Sequence, residues 1–115
     1  MKTFIYTLVL LVGFTAFSQE QKVEYKKVAN NLVKATYYFS ENNNLVEREG
    51  YFNAAEKLHG TWISYDLQGN KKVIANYNNG VKEGVWTYFK EDKISVVTYN
   101  HNKITNVEEK ALVIN

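Results

Sequence analysis

The sequence predicts an all-β domain: an antiparallel meander of stacked β-hairpins following an N-terminal export segment. Three observations carry that reading. The block Gly-x-Trp-x-x-aromatic occurs twice, at 60–65 and at 84–89, offset by 24 residues. After each copy comes a polar turn, then a second strand-like run ending in Tyr-Asn. No segment keeps a helical period over a window of about 11 residues. A fixed period of this size marks an array of supersecondary units.

Eight strands are expected, near 23–29, 32–40, 45–53, 61–66, 71–78, 84–90, 93–100 and 103–110. The upstream copy is the weakest: Tyr38-Phe39, the turn Glu41-Asn42-Asn43-Asn44, then 45–53 with Tyr51-Phe52. Residues 53–58 have some helix propensity but are too few to form a helix of ordinary length. In the next unit Trp62, Ser64 and Asp66 alternate with Thr61, Ile63 and Tyr65, so the two sets face opposite sides of a strand. Gly69-Asn70 supplies a hairpin turn, and Val73, Ala75 and Tyr77 share one face of the returning strand. Asn79-Gly80 is an equally strong turn signal between units. The third unit runs from Trp86 and Tyr88-Phe89 through Lys90-Glu91-Asp92-Lys93 to Tyr99-Asn100.

The glycine before each tryptophan has two structural readings. It is either a bulge that needs no side chain, or space for a bulky neighbour on the adjacent hairpin. Repeats are placed at about 36–59, 60–83 and 84–106 within a single domain, 19–115. The N-terminal strand pair and the segment from Lys103 onward are the candidates for capping the array.

Residues 1–18 read as a secretory signal peptide. Met1-Lys2 is the positive start, Phe4 to Phe17 the apolar run, and Ala16-Phe17-Ser18 the small-residue cleavage site. The apolar run is shorter than the ~20 residues a membrane span needs. The expected location is therefore secreted or periplasmic, with cleavage after Ser18. Loss of Lys2 leaves thirteen basic residues against twelve acidic ones. That balance gives no basic groove for nucleic acid. The absence of cysteine excludes disulfides, thiolate nucleophiles and cysteine-based metal sites. A chain of this size without disulfides must rely on dense aromatic packing or on association.

The pattern Gly-x-Trp-x-x-aromatic, polar turn, strand ending in Tyr, Asn-Gly, Lys-x-Gly resembles the MORN-repeat variant, the module of the bacterial YwqK-like proteins. The resemblance covers 57–104 well and 36–56 loosely. The first unit has Tyr37-Tyr38 where Gly-x-Trp would stand, and the third has Asn102 at the place of the spacer glycine. The resemblance implies a twisted, elongated sheet and binding rather than catalysis. Eukaryotic relatives of the repeat are associated with membrane lipid and protein scaffolding, and bacterial ones often carry an antitoxin-type label. An exported chain is poorly placed to neutralise a cytoplasmic toxin.

A search for chemistry finds little, and no enzymatic activity or cofactor is expected. His59 and His101 occupy spacer positions 42 residues apart, without a third ligand at metal-site spacing. Glu47 and Glu49 share one strand face with Arg48 on the other, which is the pattern of a solvated sheet surface. The hydrolase elbow and the P-loop are absent.

The repeat-phased aromatics remain as the candidate binding rows: Trp62, Tyr65, Tyr77, Trp86, Tyr88, Phe89 and Tyr99. Tyr37/Tyr38, Tyr51/Phe52 and Tyr88/Phe89 are adjacent pairs, so both faces carry aromatics. On a single sheet one such row would be open to a protein, a glycan or a second copy of the sheet. The lysines at turns and spacers, Lys71, Lys72, Lys82, Lys90, Lys93 and Lys103, would suit weak contact with an anionic membrane. The expected function is thus an exported, non-enzymatic module that binds a protein or envelope partner through its sheet face or edge. The alternatives are headgroup association through the turn lysines and an antitoxin-type role by family label.

Overall fold

The computed structural model describes residues 20–112. The export segment expected at 1–18 lies outside them. The described residues form one antiparallel sheet without a helix. Its strands are β1 (Val23–Ala29), β2 (Leu32–Tyr38), β3 (Val46–Asn53), β4 (Leu58–Tyr65), β5 (Lys71–Asn78), β6 (Val81–Lys82), β7 (Gly84–Phe89), β8 (Lys93–Asn100) and β9 (Lys103–Ala111). Spatial order follows chain order from β1 to β9, with the two-residue β6 paired to β5 beside β7. This is the meander of hairpins the sequence predicts.

Two departures from the expected strands have one cause. β4 starts at Leu58 instead of 61, and the short β6 precedes β7. In both places the chain kinks at a glycine in the left-handed region, Gly60 (φ 77°) and Gly84 (φ 78°). Across the first kink the register passes from Glu49–Ile63 to Tyr51–His59. Across the second it passes from Ile74–Thr87 to Tyr77–Lys82. Each kink skips two residues, so the side-chain alternation is preserved on both sides of it. A β-carbon at either glycine would meet nothing closer than 3.9 Å. Of the two readings of these glycines, the structure therefore selects the bulge. Segment 53–58 is a turn at its start: the Asn53 side-chain oxygen accepts from the N–H groups of Ala55 and Lys57.

The strand register assigns every side chain to a face. On one face Tyr37, Arg48, Ser64, Val73 and Tyr88 follow one another across the sheet. The next row is Ala35, Gly50, then Trp62, Ala75, and then Trp86, Val97. Ala35, Trp62, Ala75, Trp86, Val97 and Tyr99 are the buried hydrophobics, and all six lie on this face. The core is thus the inner layer of one face, the aromatic face built around Trp62 and Trp86. It is covered by its own larger side chains, because the described residues supply no second sheet or helix.

Candidate functional site

The aromatic face is built by a device repeated along the chain. Each bulge interrupts the ladder and leaves a carbonyl on the preceding strand in need of a donor. The tryptophan two residues after the bulge glycine supplies it. Trp62 Nε1–H donates to the Tyr51 carbonyl at 2.9 Å, and Trp86 Nε1–H donates to the Asn76 carbonyl at 2.8 Å. Reaching back in this way lays each indole over the small residue just before that carbonyl, Gly50 or Ala75. At the C-terminal end the same role falls to Thr105, whose hydroxyl donates to the Thr98 carbonyl at 3.3 Å. No third tryptophan follows, so β9 ends the aromatic layer.

The turns repeat as well. Asn79 and Gly80 both have positive φ, and Gly80 N–H donates to the Leu58 carbonyl at 2.7 Å. His101 and Asn102 repeat this, with Asn102 N–H donating to the Lys82 carbonyl at 3.0 Å. Asparagine tolerates the left-handed conformation better than most residues. Asn102 therefore does the work of the missing glycine, and its side-chain oxygen also accepts from Lys82 N–H at 2.9 Å. His59 is occupied in the equivalent corner, its Nδ1 accepting from Asn79 N–H at 3.1 Å.

Of the seven sequence-predicted aromatics, five share this face. Trp62, Trp86 and Tyr99 are buried, and Tyr77 and Tyr88 are half-buried around them. Trp86 contacts Tyr77 and Tyr99, each with ring centroids 5.1 Å apart. Trp62 meets Phe52 edge-on at 5.2 Å. The Tyr88 and Tyr99 hydroxyls lie 3.2 Å apart. Burial, then the hydrogen bond to Tyr99, pushes the Tyr88 pKa well above the ordinary tyrosine range.

Tyr65 and Phe89 lie on the opposite face. Tyr65 donates to Glu49 Oε2 at 2.7 Å, and Glu49 Oε1 is 3.7 Å from Lys34. Burial and that carboxylate push the Tyr65 pKa up to about 12. Glu49 is thus engaged in a surface network, as the solvated-face reading expects. Among the described residues no cluster of three His, Asp or Glu side chains is placed to hold a metal ion.

Sequence reasoning missed the cations of the site. The Arg48 guanidinium sits over the Tyr37 ring at 3.9 Å. Lys82 Nζ lies 5.0 Å from the Trp86 ring centre and 5.2 Å from that of Tyr99. Neither cation takes part in an ion pair among the described residues. Between the two tryptophans runs an open groove of about 260 Å³, lined by both indoles, Tyr77, Tyr88, Ser64 and Arg48 among others. The tryptophans are only 5% and 6% exposed, so they offer no free ring face for stacking. The outer surface of the site is tyrosine, phenylalanine and the two cations.

The described residues define an open, single-layer β-sheet whose buried aromatics gather on one face. The chain matches no family model, no curated protein and no solved structure.

Proposed function

We propose that this protein is an exported, non-enzymatic binding module of the MORN-repeat variant kind, holding a protein or cell-envelope partner on its aromatic face. One observation carries the reading. A sheet face carrying Tyr37, Phe52, Tyr77 and Tyr88 around its core, with Arg48 and Lys82 seated on its rings, has no covering layer among the described residues. Aromatic residues and arginine are what interface centres favour. Cations resting on rings keep their charge accessible while covering apolar surface.

The test is retention of envelope components on the immobilised protein, compared with Arg48→Glu plus Lys82→Glu and with the opposite-face control Lys72→Glu. A partner retained by the wild type and by the control, but lost with the double variant, supports the reading. Equal retention on all three overturns it.

A second reading places anionic headgroups at the turn lysines. A cleft lined by Lys71, Lys72 and Lys90 beside Phe89 and Leu112 favours it, although Asp66 and Glu91 in the same lining offset much of the charge. That reading requires binding to anionic vesicles that Lys72→Glu weakens and high salt abolishes.

A further inference from the structure

Among the described residues the sheet is open and its outermost strands are unpaired on one side: β1 pairs with β2 alone and β9 with β8 alone. All nine residues of β9 are exposed, and on β1 every residue but Val23 is. The sequence has no proline to blunt either edge.

Backbone hydrogen bonds show which groups of each edge are free. The Lys22 carbonyl accepts from Tyr38 N–H at 2.9 Å, so Lys22, Glu24 and Lys26 turn their backbone groups toward β2. Val23, Tyr25 and Lys27 therefore turn theirs outward. Leu112 N–H donates to the Asp92 carbonyl at 2.9 Å, so the outward groups of β9 are those of Val107, Glu109 and Ala111. In both strands these outward residues also lie on the aromatic face.

We infer that β1 of one copy pairs antiparallel with β9 of the next copy, Val23 opposite Ala111, Tyr25 opposite Glu109 and Lys27 opposite Val107. This register joins outward backbone groups to outward backbone groups and continues the aromatic face across the junction. On the other face it sets Glu24 against Lys110 and Lys26 against Glu108. A slip of two residues one way puts Glu24 against Glu108; the other way it puts Lys26 against Lys110. Opposite charges across neighbouring strands stabilise and like charges destabilise, so the charge pattern selects a single register. A contact between unlike edges is heterologous, so it propagates into a ring or an extended sheet. Pairing β1 with β1 about Tyr25 would also oppose Glu24 and Lys26, but it would stop at two copies and leave β9 uncovered. The association goes beyond the partner-binding reading and leaves the aromatic face free.

The test is sedimentation velocity across a concentration series. The protein is expressed from its full sequence and purified as the cell delivers it. Lys26→Glu, Glu108→Lys and the double variant are compared with wild type. Neither the Lys26 nor the Glu108 side chain makes an ion pair among the described residues. Wild type is expected to exceed two copies as concentration rises. Each single variant is expected to weaken association by about tenfold, and the double variant to restore it. A monomer at every concentration overturns the inference. So does a dimer that Lys26→Glu disrupts and Glu108→Lys does not, which would mark β1–β1 pairing. Single variants that associate as wild type does overturn it as well.

Discussion

Gly50 is the floor on which Trp62 rests. A β-carbon at Gly50 would overlap the indole ring of Trp62, because that ring reaches back across β3 to hydrogen-bond the Tyr51 carbonyl. Gly50 and Trp62 are twelve residues apart on neighbouring strands, and the ring at 62 leaves no room for a side chain at 50. In the next unit Ala75 takes the same place beneath Trp86, so the second seat admits one methyl group.

Gly50→Ala is therefore expected to destabilise the fold by about 1–3 kcal/mol, the usual cost of overpacking a site that cannot yield. Ala75→Gly should cost less, about 1 kcal/mol from backbone entropy and lost burial. Urea denaturation of both variants checks the order. Equal effects would mean that the two seats are not distinguished by ring proximity.

Gly84→Ala is expected to cost about 1–2 kcal/mol for a different reason. Space is open there, but φ is 78°, a conformation that burdens any residue with a β-carbon. Asn at this position should recover part of the loss, as Asn102 does at its own turn, whereas Ala should not. Thermal unfolding of the Ala and Asn variants separates conformational strain from steric overlap.

Trp62→Ala and Trp86→Ala are each expected to cost about 3–5 kcal/mol, since each removes a buried ring and strands a carbonyl acceptor. Small domains hold about 5–15 kcal/mol in total, and this one has a single core layer. The double variant is expected to be unfolded, with far-ultraviolet circular dichroism and hydrogen exchange as readouts. A double variant that keeps its β signal and its amide protection would show that the core lies elsewhere.

Alkaline pH should weaken the fold. Burial raises the pKa of Tyr37, Tyr77 and Tyr88, and burial with the Glu49 carboxylate raises that of Tyr65 to about 12 from an ordinary 10.0. A folded value above the unfolded one means that the stabilisation is complete below the unfolded pKa and is lost as pH rises through the folded one. For Tyr65 that window runs from an ordinary 10.0 to about 12. The urea midpoint is expected to fall across it. Glu49→Gln should bring the Tyr65 titration, followed by ultraviolet absorbance, back toward the ordinary value. A midpoint that stays level to the upper end of the window would rule out these shifts.

Much of the fold was legible in the sequence because strands announce themselves by alternation. The runs at 71–78 and 93–100 coincide with β5 and β8. The positive-φ turn at Asn79-Gly80 was equally plain. The early start of β4 and the separate β6 were not legible, because they follow from bulges whose hydrogen bonds involve a neighbouring strand. Arg48 and Lys82 were hidden for a related reason. Each read as an ordinary strand or turn charge until the register placed it over a ring. Arg48 even carried the wrong emphasis, as the reverse side of a carboxylate pair.

The sequence by itself determined an all-β repeat, its period, its turns and which residues alternate along each strand. These are local properties, dictated by side-chain period and by the conformational range of glycine and asparagine. Only the tertiary structure decided which alternating set becomes the core. It buried Trp62 and Trp86 on one face and left Tyr65 and Phe89 on the other, although all four are repeat-phased aromatics. The reason is physical: a tryptophan beside a bulge can satisfy a freed carbonyl and cover a small residue at once, and whether that carbonyl and that small residue lie within reach depends on the register between strands.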